Sequence, residues 1–350
     1  IISCSLLKHC NQLDVSSIDL LSLIPAIRQE KPVPSSNFWS KMKTMMNKEP
    51  KSAPPSKIFG ASLDVLCDKW GTQSDLAVGP TKIKIPIVID ELISSLRQMD
   101  MSVEGIFRKN GNIRRLRELA TQIDVNPSEV PDLSKENAIQ LSALLKKFFR
   151  ELPDPILTSN LYKLWIDTAG IEDPSDRQKF YCLVYSLLPL YNRNVLEVLL
   201  SFLYWTSSFS HVENEMGSKM DIHNLSTVIA PNILYKRTPG DNGTGGIPNQ
   251  SYSHGFAENE GQHHFLAIEV IDFLITHNEE MVMVPKFLIT LLEEVKSRNL
   301  KTVDEISSFA AKKMNDKSID FSEFNVGNDI KVKDTSTSVQ QADVVQEDQS

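Results

Sequence analysis

The sequence predicts an all-α protein: a single helical domain with a flexible N-terminal extension and a C-terminal tail. Three observations carry that prediction. From about residue 59 to 280, apolar residues recur at three- and four-residue spacing, the period of an amphipathic helix. Strand-like alternation over the same span is too scarce to build a sheet. Prolines stand at the edges of the periodic runs, as at Pro86, Pro153, Pro155 and Pro231, where they punctuate helices.

Residues 1–57 form an extension with two linker-like stretches, residues 31–36 and 50–56, rich in Pro, Ser and Lys. Between them Phe38, Trp39, Met42, Met45 and Met46 recur at helical spacing, interspersed with Lys41, Lys43 and Lys48. From 31 to 57 there are six lysines against one glutamate. The plain expectation is a short helix resting on its own domain. The sharper alternative is a weak membrane or partner contact through residues 38–48.

Residues 58–280 make up the helical body. A helix begins after Pro86 with Ile87, Val88, Glu91, Leu92 and Ser95. Asn112 is placed to cap another, which buries Ile113, Leu116, Leu119, Ala120 and Ile123 and turns Arg114, Arg115 and Arg117 to water. Val195, Leu196, Val198, Leu199, Leu200, Phe202 and Leu203 are apolar almost all round, as in a central buried helix. A last helix runs through Phe265, Ile268, Ile271, Leu274 and Ile275. Before it, residues 238–262 read as a disordered, glycine-rich insert. Residues 281–315 read as a short helical extension around Phe287–Leu292, and residues 316–350 as a polar tail.

Composition narrows the function. The chain has 350 residues, 41% hydrophobic, enough for a substantial core, and a formal net charge of -8, which argues against a general nucleic-acid binder. Cys4, Cys10, Cys67 and Cys182 show no paired spacing, which suits a reducing compartment. No apolar run approaches bilayer length and the first residues lack the basic flank of a signal peptide, so a cytoplasmic location is expected. The absence of an initiator methionine suits a fragment of a longer protein.

Three motifs carry chemistry. In Gly105-Ile106-Phe107-Arg108-Lys109-Asn110-Gly111 an arginine is mounted between two glycines and two apolar anchors. Guanidinium is planar, always protonated and rich in donors, which suits developing phosphate charge. In the second motif, Leu141, Leu144, Leu145, Phe148, Phe149 and Leu152 share one helical face, and Lys146 and Arg150, four apart, share the exposed one. The third runs from Met220 to Leu234; Pro231 ends its helix and leaves the Asn232 carboxamide free to bond outward. Taken singly, each has a bland reading: a solvated basic face for Lys146 and Arg150, a helix cap for Asn232 and, more so, for Asn224. No Gly-x-x-x-x-Gly-Lys-Ser/Thr cradle is present, and Gly243–Gly246 has no strand before it. His254, His263 and His264 are a weak metal set in or beside the insert, and no metal site is expected.

In combination the motifs resemble the GTPase-activating domain of the Rho-GAP family, from about Phe59 to His277. The resemblance implies a GTPase activator with no complete active site of its own. Arg108 would be the catalytic arginine supplied in trans, and Gly105 and Gly111 would support its loop. Lys146 and Arg150 would line the groove that receives the partner, the arginine also bracing the loop, and Asn232 would contact the partner's switch region. The partner implied is a Rho-family small GTPase in its GTP-bound form; GTP and Mg belong to that partner, and no cofactor is expected here. Asn110 and Ala230 stand where many relatives carry serine and glycine, mild departures. The wording from Arg108 to Leu116 is similar to fungal members restraining the Rho branch of cell wall and actin, which implies roles in actin organisation and cell-wall integrity, with recruitment to the cell cortex. The rival reading is a catalytically silent Rho-binding scaffold.

Overall fold

The computed structural model describes residues 57–211, 217–236, 258–284 and 286–315. The readings made for residues 1–56, for most of the insert and for the tail from 316 lie outside them.

The first helix, α1 (Leu63–Trp70), starts at Ser62, whose hydroxyl accepts the Val65 N–H. It leads into two strands, β1 (Gly71–Ser74) and β2 (Ile83–Pro86), paired antiparallel with Gly71 opposite Pro86 and Ser74 opposite Ile83. This ribbon corrects the expectation of no sheet. Its strands are four residues each, and β1 reads Gly-Thr-Gln-Ser, with no apolar alternation to betray it. Long-range bonds hold it: the Ser74 hydroxyl donates to Asp90 at 2.5 Å, and the Asn194 carboxamide donates to the Lys84 carbonyl at 3.0 Å.

Helix α2 (Ile87–Arg97) follows directly on Pro86. Helix α3 (Ile113–Val125) is capped by Asn112, whose Oδ1 accepts the Arg115 N–H at 3.1 Å. Helix α4 (Ala138–Glu151) is capped by Asn137 in the same way. A single 3-10 turn leads into α5 (Tyr162–Ala169). Asp173 caps α6 (Pro174–Ser186), with Pro174 at the first helical position, where its missing N–H costs nothing. Then come α7 (Leu190–Ser207), α8 (Ile222–Ile233) capped by Asp221, α9 (Glu258–Thr276), α10 (Asn278–Val282), α11 (Lys286–Ser297) and α12 (Val303–Asn315).

Helix α7 lies at the centre, against β2, α1, α8, α9 and α10. Val195, Leu196, Leu199, Leu200, Phe202 and Leu203 have no exposed surface, as the near-continuous apolar run predicts. Around it one core runs from Ile58 to Val295, so Phe287, Leu288 and Leu291 of α11 are buried in the same cluster as the helical body. Cys67 and Cys182 are free thiols buried in it, and burial pushes each up to about 12. Among the described residues no helix is long and apolar enough to cross a membrane.

Four local expectations need correction. Ile113 is 63% exposed and Phe265 68% exposed, although both fit an apolar period. Ile113 is the first residue of its helix, where nothing packs over it. Arg115 is drawn from water by Glu136, whose Oε1 lies 2.6 Å from its guanidinium. Residues 258–262, read as the end of the insert, are the first turn of α9, and His263 and His264 follow on the same helix.

Candidate functional site

The arginine turn is built from its backbone outward. Gly105 has φ +75°, which L side chains rarely adopt, and its N–H donates to the Ser218 carbonyl at 2.8 Å. Lys109 N–H closes back on the Gly105 carbonyl at 2.7 Å, and Arg108 N–H on the Ile106 carbonyl at 2.8 Å. The latter three-residue turn is centred on Phe107, which has φ +63°. For a bulky residue that conformation costs about 1–2 kcal/mol, and such strain persists only where surroundings hold it.

Three contacts hold it. The side chains of Ile106 and Phe107 are fully buried, and Phe107 meets Phe202 of α7 edge-on, with centroids 6.2 Å apart. Ser142 accepts the Phe107 N–H at 3.4 Å, and the Lys146 ammonium donates to the Phe107 carbonyl. At the far end, Gln140 Oε1 accepts the Asn112 N–H at 2.8 Å while its amide donates to the Asn112 carbonyl at 3.3 Å. Helix α4 therefore clamps the turn on both sides, through Gln140 at one end and Ser142 and Lys146 at the other. With Ile106 and Phe107 buried before it, Arg108 is left half-exposed, its guanidinium 3.7 Å from Glu104 Oε1.

The two glycines act differently. Gly105 supplies a backbone angle, whereas Gly111 supplies room: a Cβ there would stand 2.8 Å from Gln140 Oε1 and 3.2 Å from the Ala143 methyl.

Lys146 and Arg150 lie on the side of α4 away from its main apolar face, and they differ in their surroundings. Lys146 is half-buried, and burial first, then the charge of Arg150, holds its ammonium below the usual lysine range. The lysine braces the loop through the Phe107 carbonyl. Arg150 is partly exposed one turn further on, and its Nε is buried without a protein partner.

Asn232 is placed otherwise than predicted. Helix α8 runs through Pro231 to Ile233, because a proline in the last turn removes a single backbone bond while keeping a helical φ. Asn232 is 8% exposed, and its carboxamide donates to the Val228 carbonyl of its own helix at 2.8 Å. Asn224 assists the opposite end: Asp221 accepts its N–H, and its amide donates to the Lys219 carbonyl at 3.2 Å. Helix α8 packs against α4, and the Leu157 N–H donates to the Ile233 carbonyl at 3.2 Å, so the end of α8 abuts the loop after α4.

Gln140, Ser142, Glu104 and Lys219 escaped the sequence reading. The first two had a signal: polar residues on the otherwise apolar α4 face, at 5% and 0% exposure, demand partners. Glu104 and Lys219 lie more than a hundred residues apart and had none. Among the described residues, no group of three or more His, Cys, Asp or Glu is placed to hold a metal ion.

Compared with known proteins, residues 86–238 match the RhoGAP domain, a span that contains the arginine turn, α4 and α8. The chain belongs to the RhoGAP family. It is 57% identical over 349 residues to Rho-GTPase-activating protein LRG1 of Saccharomyces cerevisiae, covering 98% of this chain and 34% of that one. It is 39% identical over 294 residues to Rho-type GTPase-activating protein 1 of Schizosaccharomyces pombe, covering 83% of this chain and 23% of that one. This RhoGAP chain thus spans about a third of one of these curated relatives and about a quarter of the other. The fold is that of human Rho GTPase activating protein 15, with a TM-score of 0.50 at 19% identity, over 65% of this chain and 93% of that structure.

Proposed function

We propose that this RhoGAP chain accelerates GTP hydrolysis by a Rho-type small GTPase in its GTP-bound form, and so switches off Rho signalling. The observation that carries the reading is the mounting of Arg108. A strained, buried, doubly clamped turn is a costly way to display one cation, and it suits a group that must enter another protein's site in a fixed orientation. In the partner's site the guanidinium would neutralise charge developing on the transferred phosphoryl group, and the Arg108 carbonyl would help hold the partner's glutamine. An arginine supplied in trans is worth about 10³–10⁵ in rate. GTP and Mg²⁺ belong to the partner, and this chain contributes only the arginine and the surface that aims it.

Lys146 acts from behind by fixing the Phe107 carbonyl, Arg150 offers a partly exposed cation for orientation and on-rate, and Asn232 would meet the partner's switch region only by leaving the Val228 carbonyl. The family's name and those of its yeast relatives support a Rho-type partner, with actin organisation and the cell wall as the processes affected at the cell cortex.

The test is GTP hydrolysis by purified Rho, Rac and Ras-type GTPases with this chain or its Arg108→Ala variant. Acceleration of a Rho-type member, lost in the variant while binding persists, is the expected result. Binding without acceleration by the unmodified chain would make it a scaffold and overturn the proposal.

A further inference from the structure

Glu104 stands immediately before the arginine turn, and two cations share one of its oxygens. Arg108 Nη2 lies 3.7 Å from Glu104 Oε1, and Lys219 Nζ lies 3.8 Å from the same atom. Neither distance is a hydrogen bond, and all three side chains are about half exposed: 52% for Arg108, 53% for Glu104 and 57% for Lys219. Pairs this open are weak. The backbones beneath them are nevertheless fixed. Gly105 N–H is bonded to the Ser218 carbonyl, Lys219 N–H to the Ser210 carbonyl at 3.0 Å, and Lys219 itself is held at φ +58°. The second cation is therefore delivered by a tied and unusual backbone.

An arginine that works in another protein's site must be kept from wandering before it is needed and be let go cheaply. A half-exposed carboxylate at 3.7 Å meets both requirements. Its release creates a second problem: an uncompensated carboxylate would remain one residue from the turn, facing the phosphates the partner brings. Lys219, already within reach of the same oxygen, removes that charge.

Resting on the arginine reading, we propose that Glu104 is a positioning residue that holds Arg108 in the free protein and passes to Lys219 when the arginine leaves. Glu104 and Lys219 then matter to each other more than either matters alone.

The experiment is a double-mutant cycle on the full chain, Glu104→Gln, Lys219→Met and both together, read by single-turnover GTP hydrolysis of a purified Rho-type GTPase with Arg108→Ala as control. Beside it, ¹⁵Nε relaxation of Arg108 is measured in the free chain. Lys219→Met is expected to lower the maximal rate about 2- to 5-fold, consistent with an exposed ion pair. Glu104→Gln should leave the rate within about 2-fold, and in its background Lys219→Met should have no effect. In the free chain, Glu104→Gln should mobilise the Arg108 side chain.

A Lys219→Met loss that persists in the Glu104→Gln background would show that Lys219 meets the partner itself and would overturn the hand-over. Unchanged Arg108 relaxation in Glu104→Gln would overturn the hold. If relaxation responds but the unmodified chain accelerates no GTPase, the arginine reading falls and the triad is a surface contact only. If acceleration depends on Arg108 but the cycle is additive, this proposal falls alone.

Discussion

The turn at Arg108 and the end of α8 at Asn232 are both places where the sequence offers a polar group to the outside, and they are built in opposite ways. At Arg108 the flanking backbone is bent through positive φ at Gly105 and Phe107, both neighbours on the N-terminal side are buried, and the guanidinium is pushed out. At Asn232 the helix continues past its proline and the carboxamide folds back on Val228. A group projects when its neighbours' backbone groups are satisfied elsewhere and its own side chain is too long to join them. A short amide at a helix end finds a carbonyl of its own helix first.

The sharpest test of this contrast is Arg108→Ala. The acceleration of GTP hydrolysis should fall by about 10³–10⁵, while Tm stays unchanged because the guanidinium is exposed and only loosely paired. Loss of both would mean that the arginine is part of the scaffold.

Phe107→Ala should act the other way, on stability first. Its ring is fully buried against Phe202, and its removal should cost about 3–5 kcal/mol in denaturant unfolding.

Lys146→Met separates bracing from burial. Losing a charged donor to the Phe107 carbonyl is worth about 1.5–3 kcal/mol, so the maximal rate should fall roughly 10- to 100-fold if that bond is felt in the transition state. Stability should change much less, because the desolvation cost goes with the charge. Burial lowers the folded-state value of this lysine, so between that value and the unfolded one the unfolded chain holds more protons. Stability from this group therefore rises with pH across that window, and Lys146→Met should flatten the rise in a pH series of unfolding curves.

The two glycines can be told apart by alanine. Gly105→Ala is strained by its φ and should cost about 1–2 kcal/mol. Gly111→Ala, free of that strain, must displace Gln140 from Asn112, which should loosen the turn and lower the rate more than it lowers Tm.

The smallest effect belongs to Asn232→Ala, with a loss of about 1 kcal/mol for its bond to Val228. A fall in GTP hydrolysis larger than this loss explains would place the carboxamide against the partner, and an equal one would leave it a helix fastener.

Much of this was legible in the chain because it is local. Periodic apolar residues foretold α2, α3, α4 and α7, the cap at Asn112 and the helix start after Pro86 stand where they were read, and the Arg108 turn announced itself by glycine, burial and charge within seven residues. The same period misled at Ile113 and Phe265, because it says which residues share a face but not how far along the helix a neighbour covers it.

What only the tertiary structure decided rests on long-range contact. Lys146 reaches back 39 residues to Phe107, Gln140 reaches 28 to Asn112, and Ser218 meets Gly105 across more than a hundred. The approach of Lys219 to Glu104 is of the same kind. Sequence alone determined which residue types this protein has for its chemistry and which helices carry them. Which of those side chains is spent inside the protein, and which is left for a partner, depended on backbone groups brought together from distant parts of the chain.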